Sequence, residues 1–179
     1  EPRRSSGREV LKIKNVHKAF GDNSVLRGID LLVERGDRIA IMGPNGIGKS
    51  TLLQIAMGDT EADAGEITWG YETQVGYFAQ DHRTQLGEER QTAENWLWTF
   101  CPGRDRGFVR GQMGLMLISG DEGKKRLSAL SGGEVARLIF SRLSLEEPNV
   151  LVLDEPPHHL DMESIEELVE ELKVFQGTL

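Results

Sequence analysis

The chain has 179 residues, of which 38% are hydrophobic, and its formal net charge is −8. This length suits one domain with a sizeable core and is too short for two ordinary ones. An acidic chain is a poor general binder of nucleic acid. No apolar run approaches the roughly 20 residues that span a membrane, so direct membrane insertion is not expected.

Two features bear on the cellular compartment. Cys101 is the single cysteine, which excludes a disulfide within the chain. Residues 1–10 carry charges and lack the apolar segment of a secretory signal. Both features favour a reducing compartment, most simply the cytoplasm.

The predicted elements follow a polar linker end at residues 1–9. Period-two alternation and short apolar runs predict strands, in chain order, at residues 10–16, 25–34, 38–42, 66–69, 74–79 and 150–153. Helical patterns are predicted at residues 49–57, 92–100, 107–118 and 132–145, and around the stripe of Ile165, Leu168, Val169 and Leu172. The segment between the third and fourth of these helices, residues 121–126, is predicted to be a charged loop.

A phosphate loop follows the third predicted strand and precedes the first predicted helix. Its sequence matches G-x-x-x-x-G-K-[ST], with the members Gly43, Pro44, Asn45, Gly46, Ile47, Gly48, Lys49, Ser50 and Thr51. Glycines let backbone N–H groups surround a phosphate, and the helix dipole favours the same anion. We expect Lys49 to reach the β- and γ-phosphates of a nucleotide and Ser50 to bind Mg²⁺. A glycine-rich turn without a ligand is the disfavoured alternative, because strand, loop and helix agree.

Two carboxylates, Asp154 and Glu155, end the apolar strand at residues 150–153. Ligands of open α/β sheets lie at the carboxyl ends of the strands. Asp154 is therefore placed to hold Mg²⁺, and Glu155 to polarise an attacking water as a general base. The alternative, a helix cap or a surface pair, loses weight once the phosphate loop is present.

A second glycine-rich helix start, the signature segment, covers residues 130–134. Ser131 and Glu134 form the pattern of a capping box, which is the structural alternative. Gly132 and Gly133 each weaken a helix by roughly 1 kcal/mol relative to Ala, which favours a ligand that approaches the backbone closely. One short chain can hardly aim this helix and the phosphate loop at one γ-phosphate. We therefore expect the signature segment to serve a nucleotide held by another copy or domain.

These three motifs, in this order and spacing, resemble the ABC ATPase family over nearly the whole chain. The resemblance implies an α/β P-loop NTPase fold over residues 10–179, with a RecA-like parallel core, an antiparallel β subdomain and a helical subdomain at residues 81–130. It implies that Phe20 stacks on adenine, and that Gln80 is the Q-loop glutamine, a Mg²⁺ ligand that takes part in catalysis. It also implies that the ligands are ATP and Mg²⁺, and that residues 159–161 form the D-loop.

Within that family the chain is most similar to the ABC-F branch, on the basis of residues 77–80 and 159–161. This branch implies a soluble protein with two ABC domains, of which this chain resembles the second, and the ribosome as a candidate partner. The second ABC domain lies on the same chain or on another copy. Two alternatives remain open: the motor subunit of a membrane transporter, and an ATP-gated clamp without useful turnover.

Two departures from the ABC-F pattern affect the expected activity. Pro157 and His158 stand where that branch usually has Thr-Asn, and consecutive prolines restrict the backbone before the D-loop. The switch histidine of the family would lie beyond Leu179. We therefore expect this segment to bind ATP and to hydrolyse it slowly.

Overall fold

The computed structural model describes residues 5–87, 90–155 and 162–179. Its strands are β1 (Glu9–Phe20), β2 (Asn23–Glu34), β3 (Ala64–Trp69), β4 (Val75–Phe78) and β5 (Val150–Leu153). Its α-helices are α1 (Lys49–Met57), α2 (Ala93–Trp98), α3 (Arg106–Leu115), α4 (Gly120–Lys124), α5 (Gly132–Glu146) and α6 (Met162–Val174). Short 3₁₀ turns cover His82–Leu86 and Leu127–Ala129.

The chain divides into two compact units. The first comprises Glu1–Tyr77, Pro148–Asp154 and Gln176–Leu179, and the second comprises Phe78–Glu147 and Glu155–Phe175. The phosphate loop and Asp154 therefore belong to the first unit, whereas Gln80, Glu155 and the signature segment belong to the second.

The first unit contains a three-stranded antiparallel sheet in the order β2-β1-β3. In the middle strand, Ile13 pairs with Leu31 on one side and with Ile67 on the other. Val10, Leu11, Ile13 and Val16 of β1 are buried in the same hydrophobic core as Leu52 and Ile55 of α1. The antiparallel sheet predicted for the early strands is confirmed.

The first helix, α1, has the bounds that the sequence predicts. It begins after Gly48 and ends at Gly58, whose φ of 83° is the left-handed conformation that glycine adopts at helix ends. Leu52 and Ile55 bury its inner face. The helix therefore anchors the end of the phosphate loop in the core of the first unit.

The prediction of a strand at residues 38–42 is wrong. These residues have no regular secondary structure, and Ile41 and Met42 are exposed to 40% and 88%. The Ile39 N–H donates to the Leu179 carbonyl at 2.7 Å, and the Leu179 N–H donates to the carbonyl of Asp37, just before the segment, at 2.9 Å. A strand needs a ladder of backbone partners, and in the described structure a single residue provides these two bonds.

Strand β5 forms a two-stranded sheet with β4 and is less buried than its apolar sequence predicts. Val150 is 3% exposed, but the three residues that follow it are half-buried. In addition to its pairing with β4, strand β5 contacts Thr178: the Leu151 N–H donates to the Thr178 carbonyl at 2.9 Å, and Val150 forms a parallel bridge with Thr178. The expectation of a fully buried strand is correct only for its first residue.

The second unit is built mainly from helices. Phe78 and Phe140 stack with their ring centroids 4.6 Å apart, and Glu94 is buried between the guanidinium groups of Arg106 and Arg110. The predicted charged loop at residues 121–126 is wrong for its first four residues, because residues 120–124 form α4. Ser119 starts this short helix with a capping box, a local signal that outweighs the high charge of the segment.

Candidate nucleotide-binding site

The phosphate loop ends in a glycine that no other residue can replace without strain. Gly48 has a φ of 111°, and a Cβ there would lie 2.6 Å from Val25 Cγ1 and 3.0 Å from Leu26 Cδ2. Gly46 also has a positive φ, of 79°, but has open space around it. The tight turn thus brings the backbone N–H groups at the start of α1 to one place without intervening side chains.

Lys49 lies across the loop that precedes it. Its Nζ donates to the carbonyl oxygen of Gly43 at 2.9 Å and to that of Pro44 at 3.1 Å. These bonds hold the ammonium group over the residues that the motif assigns to phosphate binding. A triphosphate placed there would meet a positive charge and the dipole of α1 together.

Ser50 and Asp154 meet in the first unit although they are 104 residues apart in sequence. Ser50 Oγ donates to Asp154 Oδ1 at 3.0 Å, and Asp154 is only 3% exposed. Hydroxyl and carboxylate oxygens are the ligands that Mg²⁺ prefers, and Mg²⁺ is usually held by one or two such groups together with substrate phosphates. The pair of Ser50, at the start of α1, and Asp154, at the end of β5, therefore fits this ion.

Tyr77 is a member of this neighbourhood that the sequence did not predict as a site residue. It is 7% exposed, and burial, together with the negative charges of Asp154 and Asp59, raises the pKa of its hydroxyl to about 12. The phenol therefore remains neutral and able to donate near the carboxylate of Asp154. Its position three residues before Gln80, within the segment that resembles the family, was the available signal.

Gln80 and Glu155 meet in the second unit. Gln80 Nε2 donates to Glu155 Oε2 at 3.4 Å, a long hydrogen bond between residues 75 positions apart. Glu155 has a φ of 50°, a left-handed conformation that costs a non-glycine residue about 1 kcal/mol. Strained backbone of this kind is concentrated at functional sites, and here it turns the chain directly after Asp154.

The signature segment starts α5 with a complete capping box. Ser131 Oγ accepts a hydrogen bond from the Glu134 N–H at 3.3 Å, and Glu134 Oε2 accepts one from the Ser131 N–H at 2.6 Å. A Cβ on Gly132 would meet no atom within 4 Å, so packing in this chain does not require the glycine. This open space is consistent with a ligand that approaches the helix start from outside.

Phe20 lies at the end of β1, in the hairpin that joins β1 to β2. Its ring is 53% exposed, and Lys18 Nζ lies 5.4 Å from the ring centroid. An exposed ring is available for stacking on a base. The predicted D-loop and the departures at Pro157 and His158 lie outside the described residues.

Comparison with known proteins identifies the family. A family model described as "ABC transporter" matches residues 26–158. The chain belongs to the ABC family. The solved structure of cbiO1 from Clostridium perfringens, part of the ABC transporter complex cbiONQ, resembles this ABC domain with a TM-score of 0.66 and 26% identity, over 96% of this chain and 77% of the other. The fold expected from the sequence is thereby confirmed.

Relatives of this ABC domain include proteins of the ABC-F branch. It is 40% identical over 96% of its length to "Probable ATP-binding protein YbiT" of Escherichia coli O157:H7, and covers 32% of that protein. It is 37% identical over 99% of its length to "ABC transporter F family member 5" of Arabidopsis thaliana, and covers 26% of it. The chain thus spans about a third or less of the length of these relatives.

In the part of the chain that the structure describes, no helix is both long and apolar enough to cross a membrane.

Proposed function

We propose that this ABC domain binds ATP with Mg²⁺, hydrolyses it, and pairs with a second ABC domain in the manner of ABC-F proteins, passing the closure of the pair to a partner such as the ribosome. The observation that carries the nucleotide site is the 3.0 Å contact between Ser50 Oγ and Asp154 Oδ1. It joins the phosphate loop to the acidic strand end, which together hold nucleotide and metal in P-loop proteins.

The predicted site residues of the first unit divide the binding of ATP among them. The backbone of residues 43–51 surrounds the phosphates, Lys49 pairs with the β- and γ-phosphates, and Phe20 stacks on the adenine ring. Ser50 and Asp154 would hold Mg²⁺. When bound, Mg²⁺ neutralises phosphate charge that develops during transfer.

Glu155 is the general base of the proposed hydrolysis. A carboxylate next to the metal-binding aspartate can accept a proton from the attacking water, provided that it is held in one orientation. The hydrogen bond from Gln80 provides such a restraint on Oε2. The signature segment of one domain contacts the ATP of the other, and the open space where a Cβ of Gly132 would lie supports such an approach.

The ABC-F assignment is favoured over a transporter motor by the relatives. The named ABC-F protein of Arabidopsis thaliana is 37% identical, against 26% for the transporter component cbiO1. The assignment implies a cytoplasmic protein, a second ABC domain in the same chain or another copy, and residues 81–130 as a helical subdomain. The likeness to cbiO1 supports the transporter motor as a second candidate.

The nucleotide site is tested by calorimetry with Mg-ATP on this chain. We expect Lys49→Ala to weaken ATP binding at least about tenfold, because it removes a charge-assisted contact to phosphate. Lys124→Ala is the matched control, since the ammonium group of Lys124 bonds to the exposed Asp121, outside the phosphate loop. Equal affinities for the two variants, or no binding by the folded wild-type chain, would contradict the proposal.

Hydrolysis and pairing are tested with Glu155→Gln. We expect this variant to bind ATP, to lose phosphate release, and to form a Mg-ATP-dependent pair visible by light scattering. The full-length protein carrying the same change is expected to co-sediment with ribosomes. A non-hydrolysing clamp would show no phosphate release in the wild type, and a transporter motor would show no ribosome binding.

A further inference from the structure

Both carboxylate oxygens of Glu134, which the sequence places among the nucleotide-contacting residues, accept hydrogen bonds within their own chain. Its Oε2 accepts from the Ser131 N–H at 2.6 Å, and its Oε1 accepts from Lys125 Nζ at 2.6 Å. The residue is only 7% exposed. A carboxylate buried in this way offers little surface to a ligand, and its negative charge opposes direct contact with phosphate.

Ser131 retains a hydrogen-bond donor, its hydroxyl proton, that suits a phosphate. A serine hydroxyl has one proton to donate, and it accepts through its lone pairs. In the capping box Ser131 Oγ accepts from the Glu134 N–H. The cap therefore uses an acceptor position and leaves the O–H proton for an anion.

Lys125 reaches this cap from the end of α4, nine residues earlier in the chain. Burial alone would raise the pKa of Glu134, but the hydrogen bonds from Lys125 and Ser131 outweigh it and lower that pKa to about 2. The carboxylate of Glu134 is thus charged at every physiological pH. The ammonium group of Lys125 neutralises this charge next to Ser131, where a phosphate would bind.

A second restraint holds the residue before the cap. Arg83, in the 3₁₀ turn that follows Gln80, donates from Nη2 to the carbonyl oxygen of Leu130. The backbone on the amino-terminal side of Ser131 and the carboxylate on its carboxy-terminal side are therefore both tied to other segments of the second unit. The position of Ser131 depends on these contacts in addition to the helix itself.

We propose that Lys125 is a positioning residue, whose ion pair with Glu134 orients the Ser131 hydroxyl and neutralises its surroundings so that the hydroxyl donates to the γ-phosphate of ATP held by a second ABC domain. Glu134 accordingly acts through Ser131 and does not touch the nucleotide. The inference rests on the proposed pairing of two ABC domains.

The test measures Mg-ATP-dependent pairing of this chain in the Glu155→Gln background. We expect Lys125→Met to weaken the pair at least about tenfold and Lys125→Arg to restore it to within about threefold, because Arg keeps the charge and the donors. Lys124→Met is the matched control, since it changes the neighbouring lysine, whose partner is the exposed Asp121. This control is expected to pair like the parent chain.

Two further readouts separate positioning from general loss of structure. ATP affinity of the monomeric Lys125→Met chain should stay within about twofold of the parent, because the signature segment serves the other domain's nucleotide. Hydrogen exchange of the backbone amides at residues 131–134 should be faster in Lys125→Met and unchanged in Lys125→Arg and Lys124→Met.

The outcomes are distinguishable. Strong pairing by Lys125→Met, or unchanged exchange at residues 131–134, overturns the role of Lys125 while leaving the proposed function intact. Absence of any Mg-ATP-dependent pair in the Glu155→Gln chain contradicts the proposed function. The exchange measurement then decides alone whether Lys125 holds the start of α5.

Discussion

The amino-terminal ends of α1 and α5 are both glycine-rich and both assigned to phosphate, yet they are capped in different ways. Gly48 precedes α1 with a φ of 111° and has no side chain with which to cap the helix. Ser131 precedes α5 with an extended backbone and a complete capping box. A helix start that surrounds a ligand of its own chain uses its backbone N–H groups to bind that ligand. A helix start that meets a partner's ligand can have its N–H groups capped by side chains of its own chain.

The largest expected effect comes from the uncapped helix start. Gly48→Ala places a Cβ against Val25 in a left-handed conformation, and we expect a loss of about 2–4 kcal/mol of unfolding free energy together with ATP binding. Thermal unfolding and calorimetry measure the two losses. Gly46→Ala, at a positive φ with open space, should cost only about 1 kcal/mol. Equal costs at the two glycines would show that the crowding at Gly48 does not matter.

A smaller effect is expected at the capped helix start. Ser131→Ala should lower the unfolding free energy by about 1 kcal/mol through the lost cap, and should also weaken Mg-ATP-dependent pairing. Ser119→Ala removes the same kind of capping box from α4 and should cost similar stability without changing pairing. If both variants paired equally well, the capping box of α5 would have no function beyond stability.

A pH-dependent effect of similar size is expected at Glu134. The pKa of this residue is about 2 in the folded chain against 4.5 as the ordinary value, so its stabilisation is present above about pH 4.5 and is lost as the pH falls toward 2. Glu134→Gln cannot ionise. The difference in unfolding free energy between wild type and this variant should therefore shrink by about 1–2 kcal/mol from pH 6 to pH 3.

Denaturant unfolding at several pH values gives this difference directly. The same comparison in a Lys125→Met background should show a smaller change with pH, because the ion pair no longer favours the charged carboxylate. A pH dependence that does not respond to Lys125 would mean that Ser131 alone sets the state of Glu134.

Local patterns predicted the bounds of α1 and the start of α5 well. Glycine at the two ends of α1, and the Ser131–Glu134 spacing at α5, are short-range signals whose cause lies within one turn of helix. Ser119 and Glu122 have the same spacing, but the high charge of residues 121–126 led to the prediction of a loop where α4 forms. The strand predicted at residues 38–42 is wrong because a strand depends on partners that are distant in sequence, and in the described structure this apolar segment has no ladder of them.

The sequence by itself determined which residues could bind a nucleotide, because the phosphate loop, the acidic strand end and the signature segment are each short stretches with chemistry of their own. Only the tertiary structure decided which of them meet: Ser50 with Asp154 across 104 positions, and Lys125 with Glu134 between two helices. The physical reason is that such contacts depend on how separate elements pack, and the periodicity of one element carries no record of its neighbour.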